Sequence, residues 1–149
     1  MDDLFFMHLA YQQASKAYDH DEVPVGAVLV DVDGKIIARA FNQVEKKKMQ
    51  LAHAEMILLA KACKKMNSWR LSGLTLYVTV QPCMMCLGAL YLSRVSRVVF
   101  GVESVKFGMS AQANGIYKNL KMKIEHLPHP ASQKLLSSFF KQKRKVVYE

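Results

Sequence analysis

Leu74-Thr75-Leu76-Tyr77-Val78-Thr79-Val80-Gln81-Pro82-Cys83-Met84-Met85-Cys86 is the stretch from which the rest of the chain can be read. Its first seven residues are aliphatic, aromatic or β-branched, the composition of a buried strand. Pro82 suits a turn or the first helical position, where a missing N–H is harmless. Leu87, Ala89, Leu90 and Tyr91 then carry a helix to about Leu92. A strand that feeds directly into a helix is the building unit of α/β sheets. If the helix opens near Cys83, the two cysteines fall on one face of its first turn.

Toward the C-terminus, Arg94 and Arg97 frame a strand from Val95 to Val102, and Glu103 to Gly115 reads as a functional loop or a broken short helix. Lys121-Met122-Lys123-Ile124-Glu125 alternates like a last strand. Pro128 and Pro130 then precede a terminal helix with an apolar face of Leu135, Leu136, Phe139 and Phe140. Toward the N-terminus, His53-Ala54-Glu55 opens an apolar, helix-like run from Met56 to Cys63 that gives way around Asn67-Ser68. Glu45 to Gln50, with three successive lysines, reads as a solvated loop able to touch phosphate. Val23–Val30 and Ile36–Phe41 form a hairpin about Asp33-Gly34. Gly26 inside its first strand marks either a close ligand or tight packing against a helix. Leu4, Met7, Tyr11, Ala14 and Tyr18 recur as one helix face, with Asp2 and Asp3 as caps and an end near Asp19-His20-Asp21. His8, His20 and Cys63 lack partners at ligand spacing and read as surface or packing residues. The order of elements predicts one domain over residues 1–149: an α/β fold with a mixed sheet, an antiparallel first pair and helices on both faces.

The chain has 149 residues, is 51% hydrophobic and carries a formal charge of +9 with a pI near 9.5. No apolar run approaches the roughly 18 residues of a membrane span, and the acidic start Met1-Asp2-Asp3-Leu4 is unlike a secretory signal. Three cysteines, two in Cys-x-x-Cys, suit metal or redox chemistry in a reducing compartment better than a disulfide framework. The expectation is a cytoplasmic protein. The basic excess favours a polyanionic partner such as RNA, although a basic surface alone accounts for it equally well.

One imidazole, one carboxylate and two thiols come from these two motifs. A Zn²⁺ held by three of them keeps an open fourth position, the catalytic arrangement, and lowers the pKa of bound water toward about 7. Glu55, two residues beyond His53, is left as the proton shuttle. A redox Cys-x-x-Cys pair and three unrelated core residues are the competing explanations. A zinc ribbon is excluded for want of a second Cys-x-x-Cys. Asn42 ends a strand, where it either caps a loop or reads a polar base edge.

His53-x-Glu55 with Pro82-Cys83-x-x-Cys86 resembles the signature of the zinc nucleobase deaminases. More narrowly, the chain is similar to the bacterial tRNA-specific adenosine deaminases. The resemblance is carried by Glu22-Val23-Pro24-Val25-Gly26-Ala27-Val28, Ala52-His53-Ala54-Glu55, Thr75-Leu76-Tyr77-Val78-Thr79, Ser93-Arg94-Val95, Val99-Phe100-Gly101 and the ending Phe139-Phe140-Lys141. It implies a three-layer α/β/α cytidine deaminase-like fold around a mixed five-stranded sheet. It further implies one Zn²⁺ per subunit, a homodimer, a tRNA anticodon stem-loop as partner, and hydrolytic conversion of adenosine to inosine at the wobble position. On that resemblance His53, Cys83 and Cys86 are zinc ligands and Glu55 moves protons. Val28, Asn42, Ala54, Pro82, Ser104 and Lys106 become substrate contacts, and Lys141, Lys143, Arg144 and Lys145 hold RNA phosphates.

Three departures stand out. Gln81 replaces the family's Glu before Pro-Cys, Ser104 replaces an Asp, and 112–119 lacks the family's usual phrases. Two other readings stay open: a deaminase of a free base or nucleoside of the guanine or cytosine type, and a catalytically silent RNA-binding subunit. The intact Glu55 argues against the second.

Overall fold

Strand alternation decides which helix lies on which side of the sheet. The computed structural model describes residues 2–104 and 121–148. Its strands β1 (Gly26–Val30), β2 (Ile36–Phe41), β3 (Thr75–Val80), β4 (Arg97–Val102) and β5 (Lys123–His126) form one sheet in the order β2-β1-β3-β4-β5. β1 runs antiparallel to β2 and β3, while β3, β4 and β5 are parallel. Ala27, Leu29, Leu76, Val78, Val98 and Phe100 point to one face. There they pack with Leu58, Leu59 and Ala62 of α3 (Ala54–Met66) and with Leu87 and Leu90 of α4 (Met84–Leu92). Val28, Val30, Tyr77 and Val99 point to the other, against Phe6, Met7 and Ala10 of α1 (Asp3–Asp19). The last helix, α5 (Pro130–Tyr148), packs on α1 and β4. The result is the three-layer arrangement with a mixed five-stranded sheet.

The buried face of α1 differs from the expected stripe. It consists of Phe6, Met7, Ala10, Gln13, Ala14 and Ala17, whereas Leu4 is 60% exposed. The cause is Gly26. A Cβ there would lie 2.2 Å from the Ala10 carbonyl oxygen and 2.3 Å from the Ala14 nitrogen, so the helix main chain rests directly on β1. Ala10 and Ala14 line that contact, and the larger Phe6 and Met7 are buried in the turns before it. Of the two readings of Gly26, helix packing is the observed one.

Other boundaries moved slightly. Asp2 caps α1 by accepting from the Phe5 N–H at 3.1 Å, and Gly34 makes the hairpin with φ +82°. The lysine-bearing segment is not a plain loop: it contains α2 (Val44–Lys47) and a 3₁₀ turn, Gln50–Ala52, although its lysines are exposed as expected. β1 begins at Gly26 rather than Val23 and β4 at Arg97 rather than Val95. On α5, Phe139 is buried but Phe140 is 43% exposed. Lys106, Gly108 and the poorly matching segment 112–119 lie outside the described residues.

At the edge of the sheet where β4 and β5 begin, Arg97 ties three elements together. Its guanidinium donates to both oxygens of Asp3, at 2.9 and 2.7 Å, and to Glu125 of β5. Tyr77 donates its hydroxyl to Asp3 at 2.6 Å. The guanidinium holds the Asp3 carboxyl at about 2, below its ordinary 3.8, and burial together with Asp3 pushes the Tyr77 hydroxyl up.

Candidate active site

The opposite edge of the same sheet, past the end of β3, brings two helix N-termini together. His53 occupies the N-cap position of α3 and Cys83 that of α4, both with extended backbone and neither using its side chain to cap. Their carbonyls instead accept the first helical bonds, from Ile57 at 3.1 Å and Leu87 at 2.9 Å. The imidazole and thiol are therefore left to face each other. Pro82 is buried just before the cap, in irregular backbone between β3 and α4, where no ladder or helix bond needs its missing N–H. Cys86, three residues on, is fully buried on the same side.

His53 Nδ1 lies 3.6 Å from Cys83 Sγ and 3.4 Å from Cys86 Sγ. The ligand atoms of all three residues fall within 4.8 Å of one another, the one such grouping among the described residues able to hold a metal ion. The hydrogen bond with Cys86, helped by His53, pulls the Cys83 thiol down to about 4. The same pairing and burial push Cys86 up, and the bond to Cys83 raises His53. A cation bound among these atoms would take the place of the protons that the thiols and imidazole give up.

Glu55 lies in the first turn of α3 and is only 4% exposed. Burial pushes its carboxyl up to about 7, partly opposed by the neighbouring His53. A carboxyl group poised there exchanges protons in both directions near neutral pH. Ala54, between them, is fully buried in the α3-side core.

Asn42 is 6% exposed and does cap locally: Nδ2 donates to Val23 O at 3.2 Å and Oδ1 accepts from Val44 N at 3.4 Å. An amide has two N–H groups and two lone pairs, so one of each remains for a ligand. Val28 lies apart from the cluster, fully buried against α1 on the opposite sheet face, in a packing position. Ser104 donates its backbone N–H to Gln81 Oε1 at 3.0 Å, so two of the family departures are bonded to each other. Lys141 and Arg144 are exposed on α5, Lys145 is on the same helix, and Lys143 pairs with Asp21 at 2.6 Å. Sequence reasoning assigned no role to Glu22, whose buried carboxyl holds the segment after Asn42 through contacts no local pattern announces.

A helix-flanked mixed sheet with His and a buried Glu at the start of α3 and two Cys at the start of α4 is the arrangement of a deaminase. In agreement, the family model for MafB19-like deaminases matches residues 1–144. The sequence is 44% identical to the tRNA-specific adenosine deaminase of Bacillus subtilis, covering 96% of this chain and 91% of that one. It is 40% identical to the tRNA-specific adenosine deaminase of Aquifex aeolicus, covering 94% and 95%. A structure solved in a study of A-to-I editing by tRNA deaminases at the wobble position of transfer RNA superimposes with a TM-score of 0.81. It is 34% identical, and the match covers 89% of this chain and 99% of that one. The chain belongs to the tRNA-specific adenosine deaminases.

Proposed function

We propose that this chain, as a single domain, hydrolyses adenosine to inosine and ammonia at the wobble position of a tRNA anticodon, with one Zn²⁺ per subunit. The observation that carries it is the cluster geometry. Tetrahedral zinc with Zn–S near 2.3 Å and Zn–N near 2.05 Å requires N···S separations of about 3.6 Å, and His53 offers 3.4 and 3.6 Å to the two sulfurs. Two thiolates and one imidazole suit zinc, and three protein ligands leave a position open. Zinc bound there acts as a Lewis acid that makes water a usable nucleophile at neutral pH.

The side chains supply the rest. Glu55 takes a proton from the attacking water, passes it to the purine ring nitrogen, and delivers one to the departing amine. The remaining N–H and lone pair of Asn42 meet the purine edge, with Ala54 and Pro82 as the walls beside it. Attack at C6 needs the base unstacked, which an anticodon loop makes inexpensive. Lys46 of α2 and Lys143 of α5 line one cleft of about 660 Å³ together with Asp21, Glu22 and Glu45, so its charge is mixed, and the support for a polyanionic partner is the overall charge of +9. Lys141 and Arg144, exposed on α5, are offered to RNA phosphates along with Lys143 and Lys145, and Ser104 and Lys106 belong to the same substrate reading. A cytoplasmic location fits the tRNA substrate.

A homodimer is supported by α4, which carries no charged residue. Met84 is 60% and Leu92 65% exposed, and a Cβ on Gly88 would meet nothing within 4 Å. Packing among the described residues does not demand glycine there, and apolar faces of this kind mark interfaces. Sedimentation should give twice the chain mass, and Met84→Asp should give the monomer.

The deciding experiment incubates purified protein with anticodon stem-loops and, in parallel, with free guanine, adenosine and cytidine, then sequences the wobble base and assays ammonia. A guanine deaminase of Bacillus subtilis shares the fold (TM-score 0.67, 27% identity), which is why guanine belongs in the panel. Inosine at the wobble base is expected. Turnover of free bases alone would replace this reading with the small-molecule one.

A further inference from the structure

Glu22 has only 2% of its surface exposed and no part in the chemistry above. Both of its oxygens are nevertheless in use. Oε1 accepts from the backbone N–H of Glu45 and Oε2 from that of Lys46, each at 2.8 Å. These are the second and third residues of α2, the donors that an N-cap side chain ordinarily satisfies. Gln43 holds the N-cap position and makes no such bond. A residue 23 positions earlier therefore supplies the cap that α2 lacks. A helix of four residues has no stability of its own, so this cap governs whether the segment keeps its shape.

Asn42 rides on that segment. β1 and β2 pair as far as Gly26 and Phe41, and Asn42 follows where the two strands part. Its side chain is held by Val23 O on one side and Val44 N on the other. The first anchor is the residue after Glu22, and the second is the residue before Glu45. Slippage of the Glu22 clamp moves both anchors at once. An amide aimed at a base through one donor and one acceptor tolerates little misplacement.

We infer that Glu22 is a positioning residue for base recognition: it holds 42–46 against 22–25 so that the Asn42 amide stays aimed at the adenine. The inference rests on the base-contact assignment of Asn42. The test is a double-mutant cycle on the metal-loaded protein with an anticodon stem-loop, measuring kcat, KM and metal content. Glu22→Gln replaces one acceptor with an NH₂ that faces an N–H. It should lower kcat/KM about tenfold, with metal content unchanged, and Glu22→Asp should recover part of the loss by restoring both oxygens. In an Asn42→Ala background the same Glu22→Gln change should cost less than about twofold. An equal loss in both backgrounds overturns the inference, because Glu22 then acts without Asn42. Unaltered kinetics for Glu22→Gln alone overturn it as well. If Asn42→Ala leaves kcat/KM unchanged, the base-contact assignment itself fails and this inference falls with it. Should Glu22→Gln fold too poorly to assay, Glu22→Asp takes its place in the cycle under the same criteria.

Discussion

Two clusters of ionisable side chains occupy opposite edges of one sheet, and they are built on opposite principles. Around Arg97, each charge faces its complement: the guanidinium meets Asp3 and Glu125, and Lys123 adds a 2.9 Å pair to Glu125. Around His53, groups that compete for protons are pressed together, and Glu55 is buried beside them with burial, rather than a cation, as the main influence on its carboxyl. The first cluster is complete as it stands and ties α1 to three strands. The second brings together three side chains able to hold a metal ion, with a buried carboxyl beside them.

The sharpest way to break this contrast is Glu55→Ala. Inosine formation should fall by at least about a hundredfold, while metal content and melting temperature stay near those of the parent. A loss of metal along with activity would show Glu55 to be part of the metal cradle rather than the proton carrier. Next in size is Arg97→Ala, which leaves two carboxylates facing each other. It should lower stability by about 2 kcal/mol in urea unfolding without altering metal content or kcat at low temperature.

Acid should separate the clusters along the pH axis. Asp3 titrates lower in the fold than its ordinary 3.8, so its contribution is full above that value and disappears as pH falls toward about 2. A cation could bind the cluster at the other edge only after the thiols and imidazole lose protons, and Cys86 and His53 hold theirs more tightly than usual. Metal release, followed with a chromogenic chelator, should therefore precede the loss of far-UV circular dichroism as pH is lowered. Simultaneous transitions would mean that the fold depends on the ion. The smallest effect is expected from Gln81→Glu, which keeps the oxygen that accepts from Ser104 N and restores the family's residue. Stem-loop turnover should change by about twofold or less.

The parts of the molecule that read well from sequence are those governed by local periodicity. Thr75–Val80 is a strand because its residues favour one, and Pro82 keeps Gln81 out of the helix that opens at Met84, just after the Cys83 cap. The metal cluster was legible because a three-residue spacing puts both sulfurs on one side of a turn. The misreadings share a different cause. Leu4 was placed inside because its spacing fits a stripe, but the stripe that α1 buries is set by how closely its main chain approaches Gly26. Glu22 was passed over because its partners are Glu45 and Lys46, and only the folded sheet brings them near. Val28 was assigned to substrate through the family phrase around it, although alternation with Ala27 and Leu29 sends it toward α1.

The contact of α1 with β1 at Gly26 has one more consequence. Where two layers meet through side chains, methyl and methylene groups act as a cushion that absorbs a substitution or a thermal jolt. Main chain against main chain offers no such cushion, so helix and strand must travel as one plate. Changes of shape therefore have to be accommodated elsewhere, away from this contact. The plate beneath stays unaltered, and any residue larger than glycine at position 26 would pry it apart.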